Sequence, residues 1–133
     1  MKRKLLVLFC FVILGTFSSA NADCPTPDEY RAKLNGFQAQ MLKMLNSENF
    51  DNLDSATDAQ EKYMNSIFPG CISYFQNPNT SYDCRKLQTL ATSYIMLDKS
   101  EKMSGKSKID KLPPQVQQKC SIEFQTLHFM VDD

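Results

Sequence analysis

The sequence is 133 residues long and balances 15 lysine and arginine residues against 15 aspartate and glutamate residues. This length predicts one domain with a modest hydrophobic core. The lack of a basic surplus argues against general binding of nucleic acid.

The N-terminal segment has the pattern of an export signal. The positive residues Lys2 to Lys4 precede an apolar run from Leu5 to Phe17, and Ala20-Asn21-Ala22 fits the small-x-small rule for signal peptidase. We therefore predict a cleaved signal peptide at residues 1–22 and a mature domain at residues 23–133. The apolar run is shorter than the about 20 residues of a membrane span, so no stable membrane insertion is expected after cleavage. Loss of three basic residues leaves 12 against 15 acidic ones, a net charge of about −3.

Cysteine usage points to the same compartment. Cys10 lies in the signal, and the four remaining residues are Cys24, Cys71, Cys84 and Cys120. An even number in a short exported chain predicts two disulfides and a periplasmic or secreted protein. No C-x-x-C pair or histidine cluster is present, so no metal site is expected. Four cysteines allow three pairings; we favour Cys71–Cys84 with Cys24–Cys120.

The first predicted helix has a clear start. Thr26 is a good N-cap, Pro27 suits the first helical position, and Glu29 completes a capping box. Apolar residues then recur on one helical face as far as Leu45. The pair Asn35-Gly36 is a candidate kink or break.

Three further helices are predicted along the chain. One covers Leu53 to Phe68 and ends at Pro69-Gly70, the next runs from about Asp83 to Lys99, and the last begins at Pro113-Pro114. The last helix has an apolar stripe made of Val116, Cys120, Phe124, Leu127 and Val131. The pattern predicts an all-α fold, a compact bundle of about four helices stapled by two disulfides.

The sequence lacks the residue patterns that commonly mark an enzyme active site. His128 is the single histidine, and it has no obvious nucleophile close in sequence. The sequence contains no nucleophile elbow, glycine-rich phosphate loop or zinc-protease motif. We therefore expect a protein that is not an enzyme and uses no cofactor.

Four acidic residues, Asp51, Asp54, Asp58 and Glu61, are spaced to share one face at the start of the second helix. This face would suit a basic partner or a weak cation site. The favoured interpretation is that it faces solvent, since acidic residues stabilise a helix N-terminus.

Two segments are candidates for contact with a partner protein. The stretch Phe68–Tyr82 carries aromatic residues between two cysteines, and we predict Tyr74, Phe75 and Tyr82 as contact residues on a restrained loop. The alternative is that these aromatic residues close one end of the core. The same stretch contains a glycosylation sequon at Asn79.

The second candidate segment is the lysine-rich stretch Lys99–Lys111. Lys102, Lys106 and Lys108 are its predicted contact residues, on a loop that would enter an acidic cleft of a partner. The favoured alternative is a solvated linker between two helices.

The signal, the size, the helices and the two disulfides together resemble the small periplasmic immunity proteins that neutralise wall-degrading toxins delivered by type VI secretion. The segment Cys71-Ile72-Ser73-Tyr74, followed by Cys84 and Cys120, is similar to a cysteine-and-tyrosine pattern in some of those families. The resemblance implies stoichiometric inhibition of a toxin or hydrolase, in which a loop occludes the active site of the partner.

Two other functions are compatible with the sequence. The protein could carry a small apolar ligand, because methionine lines adaptable cavities well, or it could be a periplasmic chaperone or accessory factor. The residues that would enclose such a ligand, and that would otherwise fill an ordinary core, are Phe37, Met41, Met44, Met64, Met96 and Phe124.

Overall fold

The structure is a computed structural model that describes residues 24–77 and 81–132. The predicted signal peptide and the sequon at Asn79 lie outside the described residues. Six α-helices and one 3-10 helix make up the described chain, which contains no strand, so the all-α prediction is confirmed. The helices are α1 (Pro27–Asn46), the 3-10 helix (Phe50–Asn52), α2 (Leu53–Gln76), α3 (Lys86–Ile95), α4 (Lys99–Asp110), α5 (Pro114–Lys119) and α6 (Ser121–Asp132).

Helix α1 starts at the predicted capping box. The Glu29 amide donates to Thr26 Oγ1 at 3.2 Å, and the Thr26 amide donates to Glu29 Oε1 at 2.9 Å. The helix then passes through Asn35-Gly36 without a break. A single internal glycine costs only about 1 kcal/mol, which is too little to end a helix of this length.

Helix α2 continues through Pro69, so the predicted stop at Pro69-Gly70 is wrong. An internal proline costs about 3 kcal/mol because it removes one hydrogen bond and crowds the preceding turn. The residues around it are deeply buried, with Cys71 and Phe75 fully inaccessible to solvent. Burial of this face outweighs the cost of the proline, and the helix ends only at Gln76.

The segment predicted as a lysine-rich loop or linker is helix α4, which corrects that prediction. Asp98 is the N-cap of this helix, and its amide donates to Glu101 Oε1 at 3.3 Å. Gly105 and Ile109 are its buried residues, four positions apart on one face. The buried face of α4 is so narrow that its residues form no recognisable apolar pattern among the lysines of the sequence.

The last predicted helix is divided in two at Cys120. The backbone leaves helical geometry there, with φ −122° and ψ 43°, and α6 starts at the next residue. The C-terminal half still buries its predicted stripe of Phe124, Leu127 and Val131.

The core lies where α2, α3 and α6 pack together, with α1 against α2. Its largest fully buried side chains are Ile67, Phe75, Leu87, Leu90, Ile109, Val116 and Leu127. No helix in the described ranges is long and apolar enough to cross a membrane.

The disulfides join Cys24 to Cys71 and Cys84 to Cys120, so the predicted pairing is wrong while the predicted number is confirmed. The error follows from the error in α2. Because this helix extends beyond Cys71, that cysteine lies inside the helix beside the start of α1, 4.5 Å from Cys24 between Cα atoms. Cys84, just before α3, meets Cys120 at the break between α5 and α6. Two disulfides indicate an oxidising, extracellular compartment.

Candidate functional site

An open groove of about 370 Å³ lies where the C-terminal half of α1 and the end of α3 meet α2. Its apolar surface comes mainly from three methionines and from Phe68 and Leu97. The full lining is Met41 from α1, Thr57, Gln60, Glu61, Met64, Asn65 and Phe68 from α2, Ser93 from α3, and Met96 and Leu97 just after it.

The methionines of this groove have weak partners and considerable freedom. Thr57 Oγ1 lies 3.7 Å from Met41 Sδ, and Gln60 Nε2 lies 3.7 Å from Met64 Sδ. Met96 is 59% exposed. Flexible, polarisable thioethers of this kind can repack around differently shaped apolar groups.

A second depression of about 340 Å³ continues the first along α4 and reaches Gly105 and Lys108. The two share Asn65, Phe68 and Leu97, so they form one surface, which we call the methionine groove. Along α2 it extends from Thr57 to Pro69, a distance of about 18 Å at 1.5 Å per residue.

Gly105 sets the depth of the second half of this groove. A β-carbon at this position would lie 3.0 Å from Leu97 Cδ1 and 3.1 Å from Phe68 Cζ. The missing side chain therefore lets α4 approach the groove floor closely. Phe68 is buried and packs its ring 6.2 Å from that of Tyr94, which fixes the floor from below.

A row of three carboxylates on α2 reaches the methionine groove at Glu61. Asp54, Asp58 and Glu61 are exposed and spaced four and three residues apart, so they form one row along α2, which we call the acidic row. Glu61 itself lines the groove. The fourth predicted member of this face, Asp51, belongs instead to the 3-10 helix before α2, which corrects that part of the prediction.

No ion pair among the described residues involves the acidic row. The ion pairs found in the described residues involve other carboxylates, such as Asp28 with Arg31 and Asp83 with Arg85. The searched residues also contain no group of three histidine, cysteine, aspartate or glutamate side chains arranged to hold a metal ion. The row is thus a strip of carboxylates without ion pairs among the described residues, and it meets the apolar groove at Glu61.

One polar atom in the groove wall lacks a partner. Gln60 Oε1 is buried and accepts no hydrogen bond from the described part of the chain. An unsatisfied buried acceptor costs about 1–3 kcal/mol. Rotation of the amide toward the groove would let Gln60 accept a hydrogen bond from a bound molecule.

The predicted aromatic contact residues lie elsewhere, and most of the predicted loop is the end of α2. Phe75 is fully buried, so it cannot meet a partner in the folded protein, which corrects that prediction. Tyr74 is half-buried, and its hydroxyl accepts a hydrogen bond from the Asp83 amide at 2.9 Å. The half-buried Tyr82 donates to the Asn77 carbonyl at 2.9 Å. These three rings pack against one another, as the core-closing alternative predicts.

The three predicted lysines lie on α4 but have different surroundings. Lys102 Nζ lies 5.8 Å from the centre of the Tyr94 ring, and Lys106 Nζ lies 2.9 Å from Asp132 Oδ1 on α6. The hydrogen bond from Lys106 lowers the pKa of Asp132. Lys108 is exposed and lines the far end of the methionine groove, the one of these predicted contacts that reaches it.

His128 links α6 to α4 and to its own next turn. Its Nε2 lies 3.6 Å from Asp110 Oδ1, and its Nδ1 lies 3.8 Å from Asp132 Oδ2. Its ring meets that of Phe124 edge-on, with 5.0 Å between centroids. These contacts are those of a residue that joins two helices at the surface.

Of the residues suggested for a ligand cavity, the structure brings Met41, Met64 and Met96 together in the groove. Phe124 is buried in the core, and Phe37 borders a separate shallow depression. Sequence reasoning missed Thr57, Gln60 and Asn65. Their regular three- and four-residue spacing with Met64 and Phe68 was a usable signal, because it defines one face of α2.

No known protein family, curated protein or solved structure matches this chain. The geometry and chemistry of the methionine groove are therefore the basis for its proposed function.

Proposed function

We propose that this protein is an exported, non-enzymatic binding protein that neutralises a partner protein, in the manner of an immunity protein or inhibitor. The observation that supports this proposal is the methionine groove, an open apolar surface with adaptable walls on a disulfide-bonded scaffold. Exposed apolar surfaces of this kind mark interaction sites in small soluble proteins.

The apolar surface extends beyond the groove at the Met41 end. Leu45, 45% exposed, follows Met41 by one helical turn on α1, and Phe50 in the 3-10 helix is 57% exposed. Ile95, beside Met96, is 48% exposed. Such side chains would form the periphery of a protein contact whose centre is the groove.

Both walls of the groove are held in place before binding. The Cys24–Cys71 disulfide fixes the start of α1 to α2, and Tyr63 of α2 packs its ring 6.0 Å from Tyr30 and 5.8 Å from Phe37 on α1. A preorganised surface loses less conformational entropy on binding, which raises affinity. In this proposal a helical face of the protein, rather than a loop, occludes the active site of the partner.

The second candidate function is transport of a small apolar ligand. The observation that favours it is the meeting of Met41, Met64 and Met96 around a volume of about 370 Å³, which falls within the range of about 300–1,000 Å³ for small-molecule sites. The groove is open to solvent, however, whereas a carrier buries most of the ligand surface. An extended protein surface fits this shape better.

The test is native mass spectrometry of the oxidised mature protein and of two variants, each purified gently from its own compartment. Met64→Gln/Met96→Gln makes the groove polar without changing charge. Met103→Gln is the matched control, since Met103 is 82% exposed on α4 and lies outside the groove.

We expect a second polypeptide at fixed stoichiometry, retained by the control and weakened about tenfold or more by the groove variant, since each tenfold change corresponds to about 1.4 kcal/mol. A complex that both variants retain equally would refute the groove as the binding surface. A small added mass that only the groove variant loses would replace this proposal with the carrier function.

A further inference from the structure

The shape of the methionine groove limits what can occupy it. It is a trough about 18 Å long that follows α2. That length matches about three turns of an α-helix, which lays an apolar stripe along its axis. Helix-in-groove contacts are a recurrent mode of recognition, and adaptable methionine-rich surfaces suit them.

Acidic residues predominate among the charged residues that line the groove. Glu61 lines the half of the groove near α1, Glu101 lines the half formed by α4, and Asp54 and Asp58 precede Glu61 on α2 by seven and three residues. The basic group in the groove lining is Lys108, at the far end. A partner with positive charge along its flanks is therefore complementary to this surface, and one with negative flanks is repelled.

The acidic row also has the periodicity of a helix. Its members are four and three residues apart, so their spacing along α2 matches positions i, i+4 and i+7 of a second helix parallel to α2, or i, i+3 and i+7 of an antiparallel one. Lysine or arginine at such positions would meet all three carboxylates in one orientation. None of the three carboxylates is held by an ion pair with a described lysine or arginine, so each is free for such a contact.

We propose that the occupant of the methionine groove is a basic amphipathic helix of the partner protein, with its apolar stripe on Met41, Met64 and Met96 and its basic residues along the acidic row. This inference rests on the proposed function and specifies the partner segment. The unpaired Gln60 Oε1 gives that helix an acceptor for a lysine or arginine at the boundary of its stripe.

The test uses two synthetic helical peptides of about 18 residues. Both carry the same leucine stripe, and they differ only in having lysine or glutamate at flanking positions i, i+4 and i+7. Binding to the oxidised mature protein is measured by fluorescence anisotropy at about 0.05 M and about 0.5 M salt, since exposed charge interactions are screened at the higher value.

We expect the lysine peptide to bind at least tenfold more tightly than the glutamate peptide at low salt, and this ratio to shrink at high salt. Glu61→Lys should reduce the ratio at least fivefold. Glu123→Lys, an equal change of charge on α6 outside the groove, should leave it nearly unchanged. Equal binding of the two peptides, or a ratio that Glu61→Lys does not alter, would overturn the inference.

The natural complex separates failure of this inference from failure of the proposed function. If Met64→Gln/Met96→Gln weakens that complex while Glu61→Lys and salt leave it intact, the groove binds the partner but not through a basic helix. If the methionine variant has no effect on the complex, the proposed function fails first.

Discussion

Replacement of the Cys24–Cys71 disulfide by two alanines should loosen α1 before the rest of the fold. The bridge joins residues 47 positions apart, and the chain-entropy relation assigns about 4 kcal/mol to closure of a loop of that size. The matched change at Cys84 and Cys120, with a separation of 36, removes a similar contribution within about 0.2 kcal/mol. The two variants thus lose nearly the same loop entropy and differ mainly in which elements they release.

The elements that the two bridges hold are anchored very differently. Tyr30 is the single buried residue of α1, so little apolar surface remains to hold that helix once its disulfide is gone. The second bridge joins the start of α3 to the start of α6, and both helices bury larger apolar stripes, including Leu87, Leu90 and Leu127. We expect the first variant to unfold locally and the second to lose stability throughout.

Amide hydrogen exchange under native conditions measures this difference helix by helix. In the Cys24→Ala/Cys71→Ala variant, protection should fall most in α1, with α3 and α6 largely retained. Because Met41 is part of the groove wall, binding of the lysine peptide should fall as well. In the Cys84→Ala/Cys120→Ala control, protection should fall by similar amounts in all helices. If α1 stays as protected as α2 in the first variant, the argument that its disulfide holds it is wrong.

Three further changes test other parts of the structure. Gly36→Ala should raise the free energy of unfolding by about 0.8–1 kcal/mol in a denaturant titration, since a β-carbon there meets nothing within 4 Å; an unchanged value would contradict this. Phe75→Ala should cost about 3–5 kcal/mol, whereas Met103→Ala on the surface should change stability by less than about 0.5 kcal/mol, and similar thermal midpoints for the two would show that Phe75 is not a core residue. Lys106 lowers the pKa of Asp132 below the usual 3.8, so the stabilisation is present above that pH and is lost as the pH falls through the lowered pKa. Asp132→Asn should therefore lower the thermal midpoint at about pH 7, and its difference from the wild type should shrink as the pH falls below 3.8.

The sequence predicts correctly those parts of the fold that depend on contacts between residues close together in the chain. The capping box at Thr26 and Glu29 places the start of α1 correctly, because its hydrogen bonds join residues three positions apart. The buried stripe of α6 was likewise visible from its spacing. Both depend on neighbours in the chain and need no knowledge of distant contacts.

The errors occur where distant contacts override local preference. Pro69 is a strong stop signal, but burial of Cys71 and Phe75 carries α2 through it, and the disulfide pairing changes as a consequence. In α4 the lysines dominate the composition, while Gly105 and Ile109 alone face the core. The close approach at Gly105 depends on Phe68 and Leu97, which the sequence alone does not place beside it.

The methionine groove was predictable only in pieces. The sequence predicts the methionines as the lining of a ligand cavity or part of an ordinary core, and the acidic residues as a solvated face. Nothing in the sequence brings α1 and the end of α3 to the same side of α2. Their juxtaposition is a tertiary property, and the binding function proposed here depends on it.

Helix α2 separates stability from binding, which determines how the proposals can be tested. Its C-terminal half buries Cys71 and Phe75 in the core, and its N-terminal half presents the exposed Glu61 to the groove. Phe68 belongs to both, since it is 5% exposed and forms the groove floor. A change at Phe68 would therefore weaken folding and binding together and could not distinguish them. Changes in the acidic row act on exposed side chains, so any effect on binding there reports the groove itself.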